Sequence, residues 1–290
     1  MAALLLRVIS ARLRRTLVLL LSLSLASCSH LIFQPFEQHL YSPEIFDVRY
    51  QDLWLDVEEG IRLHGWLLEP AGEKIGTVLY LHGNAENIST HFGAVYWLTQ
   101  HGYEVTLYDY RGYGKSSGLA ELDGVIRDVA AMRDHVMAQL SPDDLLIVMG
   151  HSLGGAFAIQ TVAAADDKAG VDAVVSIAAF SDYRQITRDF LDTSWLTWAL
   201  QWPLSLTIDN RYSPEDLVSQ IAPVPLLLMH SRGDGVIGFE HAQRLYDAAQ
   251  SPKQLIEIQG HHNGIFDPAE NRRLLLDYLE TLRRDRDSNQ

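Results

Sequence analysis

A single cysteine, Cys28, occurs in 290 residues. Without a second thiol no internal disulfide can form, so the fold must rest on its apolar core. Basic residues are also scarce: 23 Lys and Arg stand against 37 Asp and Glu, a formal net charge of −14. A surface of that sign repels nucleic acid and anionic headgroups, and no nucleic-acid partner is expected. Twelve histidines are present, yet none falls in an H-E-x-x-H pattern, and no cysteine cluster accompanies them. A phosphate-cradling G-x-x-x-x-G-K-[ST] loop is missing too. Neither a metal nor another cofactor is expected. Internal repeats, low-complexity tracts and apolar runs long enough to span a bilayer are likewise missing.

The N-terminus departs from this composition. Arg7, Arg12, Arg14 and Arg15 form a basic segment without acids, followed by the apolar stretch Leu17–Leu25 and by Ala26-Ser27-Cys28. This is the layout of a signal peptide over residues 1–27. Leu25-Ala26-Ser27-Cys28 resembles the lipobox of bacterial lipoproteins, which implies cleavage before Cys28 and lipidation of its thiol. Cleavage removes four arginines and leaves 19 basic against 37 acidic side chains, a charge of −18. Membrane attachment would then come from the lipid and not from a basic patch. Ser29 is not the acidic residue that holds many lipoproteins at the inner membrane. The resemblance therefore implies a cell-envelope protein at the outer membrane, facing the periplasm. Residues 28–50 read as a tether.

The most informative stretch is Gly150-His151-Ser152-Leu153-Gly154. It follows the apolar run 145–149, long enough for a buried strand and too short for a helix, and precedes a run rich in small helix formers. Strand, G-x-S-x-G and helix is the context of a nucleophile elbow. Ser152 on that tight turn would present its oxygen beside the positive end of a helix.

Upstream, Leu53, Leu55 and Val57, then Ile61, Leu63 and Gly65, alternate with polar or aromatic residues around Glu59-Gly60, a hairpin signature. His64 falls on a strand face there. Apolar runs at 77–81, 103–108, 171–177, 225–229 and 254–258 read as further strands. Helical spacing recurs from Phe92 to Leu98, from Leu122 to Val136, from Phe239 to Ala249 and from Arg272 to Leu282. Such alternation predicts an α/β fold: a mostly parallel, doubly wound sheet with an N-terminal antiparallel hairpin. One domain is expected over residues 51–284, with a C-terminal tail at 285–290.

Three motifs in this order, His82-Gly83-Asn84-Ala85, Asp109-Tyr110-Arg111-Gly112-Tyr113-Gly114 and the elbow, resemble the α/β-hydrolase superfamily. More closely they resemble its H-G-N-A serine hydrolases, a group with protein depalmitoylases and lysolipid or monoacylglycerol lipases. The resemblance implies a triad ordered Ser, acid, His. Ser152 is the nucleophile. The acid is Asp234, after the strand at 225–229, with Asp182 as its rival. The base is His262, favoured over His261 by the family's G-H-N spacing. Backbone N–H groups of Asn84 and Leu153 would form the oxyanion hole. His82 and His151 read as loop-packing residues, and Asp109 with Arg111 as a loop-fixing pair. Gly238 stands where many relatives carry proline.

Residues 180–213 interrupt the alternation where relatives insert a short helical cap. Trp195, Trp198 and Trp202 fall at i, i+3 and i+7, one face of a helix. They are candidates to bind substrate as a lid over an acyl cleft. The expected activity is hydrolysis of carboxylic ester or thioester bonds in a small-molecule or lipid acyl substrate. A peptidase, an acyltransferase or a non-catalytic binding lipoprotein are the alternatives on the same framework.

Overall fold

The computed structural model describes residues 33–289 except 142, 143, 167 and 169. The signal-peptide region and Cys28 therefore lie outside the described residues. Eight strands form one sheet in the order β1-β2-β4-β3-β5-β6-β7-β8. Strands β1 (Tyr50–Glu58) and β2 (Ile61–Leu68) pair antiparallel around Glu59-Gly60, and β2 pairs antiparallel with β4 (Tyr103–Tyr108). From β4 onward the pairing is parallel, through β3 (Gly76–Leu81), β5 (Leu146–His151), β6 (Ala173–Ile177), β7 (Leu226–Ser231) and β8 (Lys253–Ile258). This is the α/β-hydrolase fold.

The strand sequences explain the layering. β3, β5, β6 and β7 lie inside the sheet and are covered on both faces, so they read as unbroken apolar runs. β1 keeps one face wet and alternates. Two apolar clusters flank the sheet. One packs against helices α2 (Leu122–Met137) and α3 (Leu153–Ala163), which follow the single turn α1 (Ile88–His91). The other packs against the C-terminal helix. Helix α3 is buried on every side, which its glycine- and alanine-rich sequence permits by bringing neighbouring backbones close.

Three elements differ from the sequence expectation. Residues 92–101 form two 3-10 segments instead of an α-helix. The interval around Asp47 is no free tether, because Phe33 and Val48 are buried in the core. Residues 285–289, expected as a tail, are helical. The last helix runs Ala269–Asn289, and Arg286 anchors its end through Asp172 and the carbonyl of Asp144. Among the described residues no helix is long and apolar enough to cross a membrane.

Candidate active site

Ser152 sits between β5 and α3 with φ 56° and ψ −118°, a left-handed conformation that costs a non-glycine residue about 1–3 kcal/mol. The surroundings hold it there. Its N–H donates to the Ile177 carbonyl at 2.8 Å, and its neighbours tolerate no side chain. A Cβ on Gly150 would stand 2.0 Å from the Gly154 carbonyl oxygen, and one on Gly154 would stand 2.0 Å from that of Leu81. The turn thus closes only with glycine at both positions. Leu153 opens the helix, so its N–H belongs to the first turn, whose amides have no partner within the helix.

The loops after β7 and β8 bring the acid and the base together. His262 Nδ1–H donates to Asp234 Oδ2 at 2.7 Å, which leaves Nε2 as the basic nitrogen. The other carboxylate oxygen of Asp234 accepts from the backbone N–H groups of Val236 at 2.8 Å and Ile237 at 2.9 Å. Burial pushes this carboxyl up, but the His262 contact and the two amides outweigh it and hold it below the ordinary aspartate value. Asp234 therefore stays ionised at neutral pH, as a partner for an imidazolium requires.

The rival residues are engaged elsewhere. Asp182 caps helix α4 (Tyr183–Asp192) by accepting from the Gln185 N–H at 2.6 Å, and its second oxygen meets Asn210 and Ser213. His261 is exposed, whereas its neighbour His262 is buried. His151 donates from Nε2 to the His262 carbonyl at 2.8 Å, and the two rings lie 4.8 Å apart. Burial drives His151 down to about 3, so it supports the base as a neutral ring. His82 is also driven to about 3 by burial and bonds the Gly83 carbonyl through Nδ1.

Ser152, Leu153, Asn84 and His262 all line one cavity of about 650 Å³. The Asn84 side chain is held by the Gln34 N–H at 2.9 Å and the Tyr113 hydroxyl at 2.8 Å. Beyond the polar end the wall is apolar, from Phe180, Tyr183, Ile186, Phe190, Leu204 and Ile208. The three cap tryptophans are not in that wall, contrary to the sequence expectation. Trp195, Trp198 and Trp202 are 84%, 59% and 63% exposed on the outside of the cap. The reason is local. The segment after α4 breaks into turns, the 3-10 turn Trp198–Leu200 and the short helix α5 (Gln201–Ser205), so no continuous helix aligns the three rings. Phe190, itself 53% exposed, and Leu191 join that wall from the end of α4, and no motif in the sequence marks either. The amphipathic pattern of 183–192 was the available signal.

Asp109 and Arg111 are a second correction, because they do not pair with each other. Arg111 forks onto Asp128 at 2.8 and 2.6 Å and reaches Glu58 at 2.7 Å. Asp109 binds His39 and the Ile88 N–H. Each steadies the loop after β4 through a different neighbour.

The family model described as serine aminopeptidase, S33, matches residues 72–222, just over half of the chain. The chain belongs to that family, within the α/β-hydrolases. Escherichia coli K12 YfhR, which carries no assigned activity in its name, is 31% identical over 237 residues, 79% of this chain and 78% of that protein. Danio rerio lysophosphatidylserine lipase ABHD12 is 29% identical over 231 residues, 70% of this chain and 60% of that one. Among solved structures, the Pyrococcus furiosus esterase Pf2001 aligns with a TM-score of 0.68 at 19% identity, covering 87% of this chain and 97% of that one. At that identity the likeness is one of fold. This hydrolase of the S33 family thus combines an elbow serine, a buried aspartate–histidine pair and an apolar cleft.

Proposed function

We propose that this hydrolase cleaves carboxylic esters or thioesters of apolar acyl chains, with Ser152 as nucleophile, His262 as general base and Asp234 as its orienting acid. The observation that carries the reading is the cavity itself, in which Ser152 and His262 share one end and an apolar wall continues from them. A named lipase among its relatives supports the choice of bond. In this reading Ser152 Oγ attacks the carbonyl carbon while His262 Nε2 takes its proton. The N–H groups of Asn84 and Leu153 face the developing oxyanion. Collapse breaks the acyl bond, and the leaving alcohol or thiol takes the proton from His262. Water then repeats the sequence on the acyl-enzyme and frees the acid.

A second cavity of about 360 Å³ meets the first at Asn84, His151 and Asn263, and carries Glu86, Asp267 and Arg272. Its charged lining suits a polar leaving group, opposite the apolar acyl side. A lysolipid or acylated polar alcohol fits that division, within the H-G-N-A group. A peptidase or acyltransferase would need an amine or acceptor alcohol in that place.

Purified enzyme profiled against acyl esters of rising chain length, beside Ser152→Ala, tests the proposal. Activity that rises with chain length is expected, with none in Ser152→Ala. Phe190→Ala should lose more on long chains than on acetate, by about 0.8 kcal/mol for each methylene no longer buried. Faster turnover of peptide amides, or equal loss on every chain length, would remove the acyl-cleft reading.

The same proposal places the enzyme at the outer membrane, held by lipid on Cys28, on the strength of Leu25-Ala26-Ser27-Cys28. Two or more acyl chains give stable attachment, where one is marginal. Intact mass of the envelope form should show Cys28 as first residue, carrying acyl groups, and Cys28→Ala should remain unlipidated. A mature chain beginning elsewhere would refute the anchor.

A further inference from the structure

Away from the catalytic cavity, three side chains from separate segments converge: His39 ahead of β1, His64 on β2 and Asp109 at the end of β4. Asp109 is fully buried. Its Oδ1 accepts the Ile88 N–H at 2.8 Å, while Oδ2 lies 2.9 Å from His39 Nε2 and 3.8 Å from His64 Nδ1. One ligand atom from each residue falls within 4.8 Å of the other two. The far side of His64 is already committed, since Nε2 lies 2.6 Å from Asp52 Oδ1 and must donate to it. In the neutral ring Nδ1 then carries a lone pair, buried and 3.8 Å from a carboxylate oxygen of Asp109. A buried imidazole nitrogen and a carboxylate oxygen turned toward each other suit a shared cation, either a metal ion or a proton.

We propose that His39, His64 and Asp109 hold a divalent first-row metal ion, Zn²⁺ by preference. Two imidazoles and one carboxylate form a nitrogen-rich set that suits zinc, whereas Mg²⁺ and Ca²⁺ take oxygen ligands. Tetrahedral zinc with bonds of about 2.0–2.2 Å sets its ligand atoms about 3.3–3.6 Å apart, so the 2.9 Å pair would open and the 3.8 Å pair would close, with water in the fourth position. Asp52 supplies the carboxylate that a metal-bound histidine commonly holds with its other N–H. It also accepts from the Trp66 indole at 3.1 Å, which fixes it in place. The sequence shows no metal motif because the three ligands lie far apart along the chain and meet only through the β2–β4 pairing and the packing of His39.

The ion is structural and takes no part in hydrolysis. It ties the segment carrying His39 to two strands, and the same segment reaches the oxyanion loop through the Gln34 N–H on Asn84. The competing arrangement is a protonated His39 paired with Asp109, or a protonated His64 between Asp52 and Asp109, and neither needs a metal.

Full-length chain in detergent, stripped with EDTA, is titrated with Zn²⁺ by calorimetry and followed by thermal unfolding. One equivalent should bind. At a hundredfold excess over the dissociation constant the midpoint should rise by about 5–10 °C. Co²⁺ in the same site should give visible d–d absorption. His39→Gln and His64→Gln should abolish binding, while His101→Gln, at an exposed histidine, should leave it intact. Asp52→Asn keeps all three ligands and should weaken binding by about 10–100-fold, a result independent of whether the ligand variants fold. No saturable binding, binding that survives both histidine substitutions, or an unchanged midpoint would overturn the proposal in favour of the ion pair.

Discussion

His262→Ala is expected to reduce kcat on a short-chain chromogenic ester by about 10⁴–10⁶-fold, the size seen when a triad histidine is removed. His261→Ala should cost about tenfold or less. The contrast follows from geometry. His262 is buried, and its Nδ1–H is spent on Asp234 at 2.7 Å, which leaves Nε2 for the Ser152 proton. His261 is exposed and could act only by moving the loop. A fluorophosphonate probe gives a second readout, because attack on phosphorus also needs an activated Ser152. The probe should label the wild type at Ser152 alone, label His261→Ala at close to the same rate, and fail on His262→Ala and Ser152→Ala. If His261→Ala is the inactive variant, the two roles are exchanged and the loop acts through the other ring.

Arg111→Ala is expected to destabilise the fold by about 3–5 kcal/mol, the cost of leaving a buried carboxylate without its partner. Asp128 is fully buried on α2, and the Arg111 guanidinium grips both its oxygens, while the Arg111 backbone N–H adds a contact at 3.1 Å. Glu58 and Glu121 approach the same guanidinium from the partly exposed side. Removing the arginine would strand one buried carboxylate beside two others. The double change Arg111→Met with Asp128→Leu should recover much of the loss, since a buried ion pair is worth little more than good apolar packing. Urea denaturation separates these outcomes. Equal stability of Arg111→Ala and wild type would mean that the pair is idle. A change this large should also reach the site indirectly, because the loop after β4 carries Tyr110, whose hydroxyl holds the His82 carbonyl at 2.9 Å beside the oxyanion loop.

The elbow was legible in the sequence because its requirements are local. Gly150 is demanded by the Gly154 carbonyl four residues on, and the strand and helix flanks mark the turn between them, although Gly154 itself answers to Leu81 on the adjacent strand. The inner strands were legible for a related reason, since burial on both faces writes an unbroken apolar run. Partner choice was legible only through the family resemblance, which favoured Asp234 and His262, and not from the residues alone. Asp182 and Asp234 each follow a strand, and adjacent histidines look alike on paper. Only the loops after β7 and β8, folded against each other, aim Asp234 at His262, while Asp182 is consumed as a helix cap. Helical spacing likewise marked Trp195, Trp198 and Trp202 as one face, but a face exists only where the helix is continuous, and the turns between them turn all three rings to solvent. The tertiary structure alone decided which residues line the cleft, which carboxylate Arg111 holds, and that His39, His64 and Asp109 meet. Each of these is a contact between segments distant along the chain, and periodicity along the chain carries no information about such contacts.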